Sequence, residues 1–243
     1  MPRRKKSKQK LIFLLEEMRP KLFHLRIGHR YTLNMTMWRV SEYAESADWH
    51  GQIISLCEFM GQYAKEHSTA TYPTEGKVEL FTYPVDWSGF NIPSYAFDDL
   101  YPIDGNSPIP DWNEHDEFLN FILTEIRKQV KNEKYYLIAT SDDPGDAPEV
   151  LDHEVAHGLF YLDKEYQKKQ LEALKKAPKE FIVKFKKILL TLIYAEHVHE
   201  DEMQAYLATG PCDEMVKLSK TKDWKNAAAK AEKIFKARLR VNE

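Results

Sequence analysis

The chain has 243 residues, 43% of them hydrophobic and 30% charged, a balance that suits a globular protein with a sizeable core and excludes a disordered or membrane-spanning class. Formal net charge is −3, yet Arg3, Arg4, Lys5, Lys6, Lys8 and Lys10 sit together at the start, leaving 29 basic against 38 acidic side chains elsewhere. The body of the chain therefore offers no broad basic face for nucleic acid. Cys57 and Cys212 lie far apart and form no CxxC pair, which excludes a sulfur-ligated zinc site and a disulfide framework and fits a reducing, cytoplasmic setting.

Taken in chain order, residues 1–10 read as a solvated basic tail, with a nuclear-localisation or nucleic-acid patch as the less favoured alternative. Residues 11–243 then read as one domain. The apolar run at 11–15 is too short for a secretory core or a bilayer span. Apolar spacing predicts a helix over 52–65 (Ile53, Leu56, Cys57, Met60) and a strand over 78–83. Pro84, Pro93, Pro102, Pro108 and Pro110 make 84–112 loop-dominated, with one short strand around 90–95. Phe118, Leu119, Ile122, Ile126 and Val130 give a helix over 114–131, and 135–140 is a compact apolar strand. A turn-rich segment over 141–148 follows it.

From residue 146 onward the pattern is almost wholly helical. Asp146 suits the cap of a helix whose first turn accepts Pro148, with Glu149 and Asp152 at its positive end. Pro178 opens another helix, whose stripe of Phe181, Phe185, Ile188, Leu189, Leu192 and Ile193 runs into a polar segment at 196–202. The expected class is α+β: a small mixed sheet with helices over 11–145, then a helical part over 146–243.

The helix after 146 carries His153-Glu154-Val155-Ala156-His157. Histidines four apart share one helical face, so both imidazoles reach one ion while Glu154 points beside it. Zinc accepts nitrogen ligands in tetrahedral sites, and a third protein ligand leaves the fourth position for water. Glu154 then serves as the base for a water attacking a polarised carbonyl. By accident such a motif turns up in roughly one chain of this length per hundred, and the apolar flank of Val150, Leu151, Val155, Ala156, Gly158 and Leu159 suits a buried metal helix.

This segment resembles the zinc-binding helix of the zincin metallopeptidases. The residues after His157 lack the further histidine of the metzincin pattern. Glu202-Met203-Gln204-Ala205 is similar instead to the third-ligand helix of the gluzincin, thermolysin-like group. The resemblance implies Zn²⁺ held by His153, His157 and Glu202, with a peptide or protein as substrate. Ala205, one turn past Glu202, is small enough to let the two helices approach. Where that group often carries an aspartate bracing a ligand histidine, this chain has Tyr206, so the bracing role passes to another acid such as Asp201 or to a carbonyl. His199 and Tyr206 are assigned as catalytic hydrogen-bond donors to the intermediate, with His199, Glu200 and Glu196 kept as alternative third ligands. His197 and Glu200 otherwise read as a solvated helix face, and Tyr161 as a packing residue. The strand at 135–140 is expected to offer an exposed edge to extended substrate. Asp86-Trp87-Ser88-Gly89-Phe90-Asn91-Ile92-Pro93 shapes a loop or pocket, with Trp87 and Phe90 as packed anchors. The alternative to a hydrolase is a zincin-like protein that binds metal or a partner without cleaving.

Overall fold

The computed structural model describes residues 13–43, 89–131, 133–142, 148–192 and 194–240. The basic tail, the helix at 52–65, the strand at 78–83, Cys57, Trp87 and the Asp146 cap fall outside them.

Four strands form one open mixed sheet in the order β1-β2-β4-β3. β1 (Phe13–Arg19) and β2 (Leu22–Ile27) are an antiparallel pair. β2 runs parallel to β4 (Tyr136–Ser141), and β3 (Gly89–Pro93) is antiparallel to β4 on its other side. Around the sheet lie α1 (Arg30–Tyr43), the short α2 (Tyr95–Asp98) and α3 (Glu114–Val130). After β4 the described chain is helical: α4 (Pro148–Leu162), α5 (Lys164–Lys175), α6 (Lys179–Thr191), a 3₁₀ turn (Glu196–Val198), α7 (His199–Thr209), a second 3₁₀ turn (Asp213–Met215), α8 (Val216–Ser219) and α9 (Lys222–Arg240). The result is a mixed helix-and-sheet fold with a largely helical second half. Among the described residues no helix is long and apolar enough to cross a membrane.

Alternation along the strands divides the core in two. Phe23, Leu25 and Ile27 of β2, Phe90 and Ile92 of β3, and Leu137 and Ala139 of β4 join Leu33 and Met37 of α1 and Leu119, Ile122 and Ile126 of α3 in one cluster. Leu22, Tyr136 and Ile138 belong to a second cluster with Val155, Ala156 and Leu159 of α4 and with the later helices. The helix of the histidine motif thus lies on the sheet face that also carries Asn91. Its approach is close: a Cβ added at Gly158 would stand 2.4 Å from Leu22 Cδ1 and 3.2 Å from Tyr136 Cδ1.

Local signals explain the boundaries. α3 begins at Asn113, whose side chain accepts from His115 N while Asp116 accepts from Asn113 N, and it ends at Lys131 in the left-handed region. In α5 the Asp163 carboxylate accepts from Glu165 N and Tyr166 N.

Two expectations need correction. The strand at 135–140 has no free edge, because β2 and β3 pair with both its sides; among the described residues β3 is the last strand of the sheet on that side. The apolar stripe of α6 does not run on into the acidic segment. α6 stops at Thr191, and a turn reorients the chain before α7 starts at His199.

Candidate metal centre

α4 and α7 pack against each other with Ala156 and Ala205 both wholly buried. This packing brings together His153, His157 and Glu202, whose ligand atoms all lie within 4.8 Å of one another. His157 Nε2 is 3.1 Å from His153 Nε2; Glu202 Oε1 is 3.8 Å from His157 Nε2, and Glu202 Oε2 is 3.9 Å from His153 Nε2. Zinc–ligand bonds of about 2.05 Å at tetrahedral angles put ligand atoms about 3.3 Å apart, a spacing close to that of the two imidazole nitrogens, and a small inward shift of the Glu202 carboxylate completes the fit.

Hydrogen bonding at the far side of each ring points the same way. His157 Nδ1–H donates to Asp201 Oδ1 at 2.9 Å, and His153 Nδ1 lies 3.3 Å from Thr209 Oγ1, whose own hydroxyl donates to the Ala205 carbonyl at 2.8 Å. With both Nδ1 atoms donating, both Nε2 atoms turn toward the common centre. Glu202 Oε2 is buried there with no hydrogen-bond partner. Two imidazole nitrogens 3.1 Å apart beside an orphaned carboxylate oxygen repel unless a cation or a proton lies between them.

The electrostatics carry the same demand. Burial opposes charge on His157, but Asp201, Glu202 and Glu154 outweigh it and push the ring up to about 10. Burial, with His157 beside it, holds His153 well below its ordinary value. Glu202 is pushed up to about 7, chiefly by burial, against the opposing pull of His157. In the metal-free chain a proton on His157 facing the His153 nitrogen thus takes the place that the donor set fits for a divalent cation.

Glu154 lies on the same helix but outside the ligand group, as the spacing predicts. Its Oε2 accepts from Asn91 Nδ2, and Asn91 Oδ1 in turn accepts from the Tyr136 hydroxyl. Burial raises the Glu154 carboxyl above its usual range, although His157 and the Asn91 hydrogen bond pull it down. That moves it toward the basicity a general base needs near neutrality. Asn91 is the residue of this candidate site that motif reading missed. Its signal lay in the alternation Phe90-Asn91-Ile92, which sends the amide to the face opposite two core side chains, and in the β3–β4 register that pairs Asn91 with Ile138 beside Tyr136.

The remaining site assignments divide. Asp201 sits on His157, in the bracing position left open by Tyr206. The ring of Tyr206 lies against His153 with centroids 4.6 Å apart, and its hydroxyl is hydrogen-bonded to that of Tyr194. Its contacts are thus with the His153 ring and Tyr194. His199 is buried, but its Nε2 donates to the Tyr194 carbonyl at 2.9 Å and it does not join the ligand group. Glu196, His197 and Glu200 are exposed and likewise stand outside that group. Tyr161 packs on Tyr136 at 5.4 Å with the Lys134 ammonium 4.7 Å over its ring. No family model, curated protein or solved structure matches this chain, so the reading of the site stands on its own residues.

Proposed function

We propose that this chain is a zinc-dependent hydrolase, a peptidase of the HExxH…E type, that cleaves amide bonds with Glu154 as general base. The observation that carries the reading is the convergence of His153 Nε2, His157 Nε2 and an unpartnered Glu202 oxygen on one point, with the Glu154 carboxylate beside it. A bound zinc ion supplies a Lewis acid for the scissile carbonyl and acidifies water. Glu154 takes the proton of the attacking water and delivers it to the leaving amine. Asn91, fixed by Tyr136, holds the Glu154 carboxylate in one orientation through that transfer. Asp201 and Thr209 fix the tautomers of His157 and His153. The cysteine content fits a cytoplasmic setting.

The test uses the full chain. Zinc at one per chain, together with chelator-sensitive cleavage of a mixed peptide library that disappears in Glu154→Gln while zinc is retained, is the expected result. Retained zinc with no cleavage across the library would replace the hydrolase with a metal-binding protein, and absence of zinc binding would remove both.

A further inference from the structure

The carboxylate that braces His157 ends a longer line of buried hydrogen bonds. Gln204 Nε2 donates to Asp201 Oδ1 at 3.0 Å and to the Ala156 carbonyl at 3.2 Å, so one amide ties α7 to the backbone of α4 next to His157. The Gln204 oxygen accepts from the Tyr166 hydroxyl at 2.8 Å. Tyr166 accepts from Gln170 Nε2 at 3.0 Å, and the same Gln170 amide donates to the Ala231 carbonyl of α9 at 3.2 Å. Gln170 and Gln204 are completely buried, and Tyr166 is 2% exposed.

Two features separate this line from a generic set of interior polar contacts. The bonds between side chains all run toward Asp201, Gln170 to Tyr166, Tyr166 to Gln204 and Gln204 to the carboxylate, while the same two amides also donate to the Ala231 and Ala156 carbonyls. Hydrogen bonds aligned head to tail reinforce one another and concentrate their effect on the terminal acceptor. The line also joins four helices, α4, α5, α7 and α9, so that losing a member leaves its buried partners unsatisfied. A network meant only to hold α5 and α9 together has no need to end on the acceptor of a ligand histidine.

We infer that Gln204, Tyr166 and Gln170 are positioning residues for the metal centre, acting through Asp201, and that α9 thereby belongs to its support. The inference rests on the zinc reading above. Removing the Tyr166 hydroxyl frees the Gln204 amide to rotate, loosens the carboxylate that holds the His157 ring, and weakens zinc binding without touching a ligand.

The test measures zinc affinity of the full chain by competition with a chromophoric chelator, in Tyr166→Phe, Asp201→Ala and the double variant, with Gln170→Met as a more distant probe. Outer hydrogen-bond partners of ligand histidines typically control metal affinity by about 10–100-fold, so Asp201→Ala is expected to fall in that range and Tyr166→Phe to lose about tenfold. In the Asp201→Ala background Tyr166→Phe is expected to cause no further loss, which a simple fault in packing would not reproduce. Thermal unfolding of the metal-free variants separates a folding defect, since it reports stability with no ligand geometry to protect. Equal losses in both backgrounds, or no loss in either, overturn the inference and leave the zinc reading intact. A parent chain that takes up no zinc overturns both, and that outcome is visible before any variant is compared.

Discussion

In the proposed metal centre zinc would compete with protons for the same atoms, and the surroundings of His157 and Glu202 set how steeply. His157 holds its proton up to about 10 because three carboxylates face it despite its burial, and Glu202 holds one up to about 7 because it is buried. Only the neutral imidazole and the ionised carboxylate are ligands. Between pH 10 and 7 each bound zinc therefore displaces one proton, and affinity falls about tenfold per unit as pH falls; below 7 the second proton steepens the fall toward a hundredfold. From pH 8 to 6 the expected loss is about a thousandfold, or roughly 4 kcal/mol. Competition titrations across that range give the affinities, and calorimetry in buffers of different ionisation enthalpy counts the protons released. In the chelated chain the sign is opposite for stability: the folded state keeps a proton on His157 that the unfolded state loses above about 6.5, so stability declines as pH rises toward 10. The thermal midpoint of the chelated chain is expected to fall between pH 7 and 9, and that of the zinc-saturated chain to escape this loss. Zinc affinity constant within tenfold from pH 8 to 6, with no proton release, would refute the assignment of these two residues as ligands.

Other expectations follow from single contacts. Asn91→Ala removes the donor to Glu154 and orphans the Tyr136 hydroxyl, so kcat of the proposed cleavage should drop about a hundredfold, with zinc content and KM little changed; steady-state kinetics with metal analysis check this. Gly158→Ala gains about 1 kcal/mol of helix propensity but drives a methyl to 2.4 Å from the buried Leu22, and overpacking of about 1–3 kcal/mol should win in urea unfolding. Arg39→Leu strips the guanidinium from Asp116, a completely buried carboxylate that then keeps only the Tyr101 hydroxyl and the Asn113 amide. A loss of about 3–5 kcal/mol is expected by chemical denaturation, and a loss under 1 kcal/mol would mean the charge had found water.

The second half of the fold was more legible than the first because its signals are local. Helical period, Pro178 and the i, i+4 histidines mark α4, α6 and α7 without reference to any other segment. The approach of Glu202 to the two histidines was legible for a related reason: the small Ala205 one turn later permits the close helix packing that brings this carboxylate to them. β1 and β2 went unread because their stability is not local. Leu22-Phe23-His24-Leu25-Arg26-Ile27 is buried on both faces, because α1 covers one side of the sheet and α4 the other, and its His24 and Arg26 blur the alternation that would mark it. The misplaced substrate edge has the same origin, since a strand's neighbours, and hence its free edge, are set by pairing across more than a hundred residues, as between β2 and β4. His199 and Tyr206 were expected to act on substrate because helical spacing puts them near Glu202. Spacing gives the face of a helix, but not which neighbour receives a side chain's hydrogen bond, and Tyr194 receives both of theirs.

The placement of Glu154 shows how the two levels combine. Its position between the histidines sends it past the point where the two imidazoles meet, a consequence of 3.6-residue periodicity alone. What it meets there depends on the sheet: Phe90 and Ile92 join the core cluster that also holds residues of α3 and α1, so Asn91 faces α4, and the β3–β4 register sets its amide beside Tyr136. The apolar residues on either side of Asn91 thus aim the group that orients the base. A change that reversed the facing of β3 would disconnect Glu154 from Asn91 while leaving His153, His157 and Glu202 together, separating metal binding from the proposed catalysis.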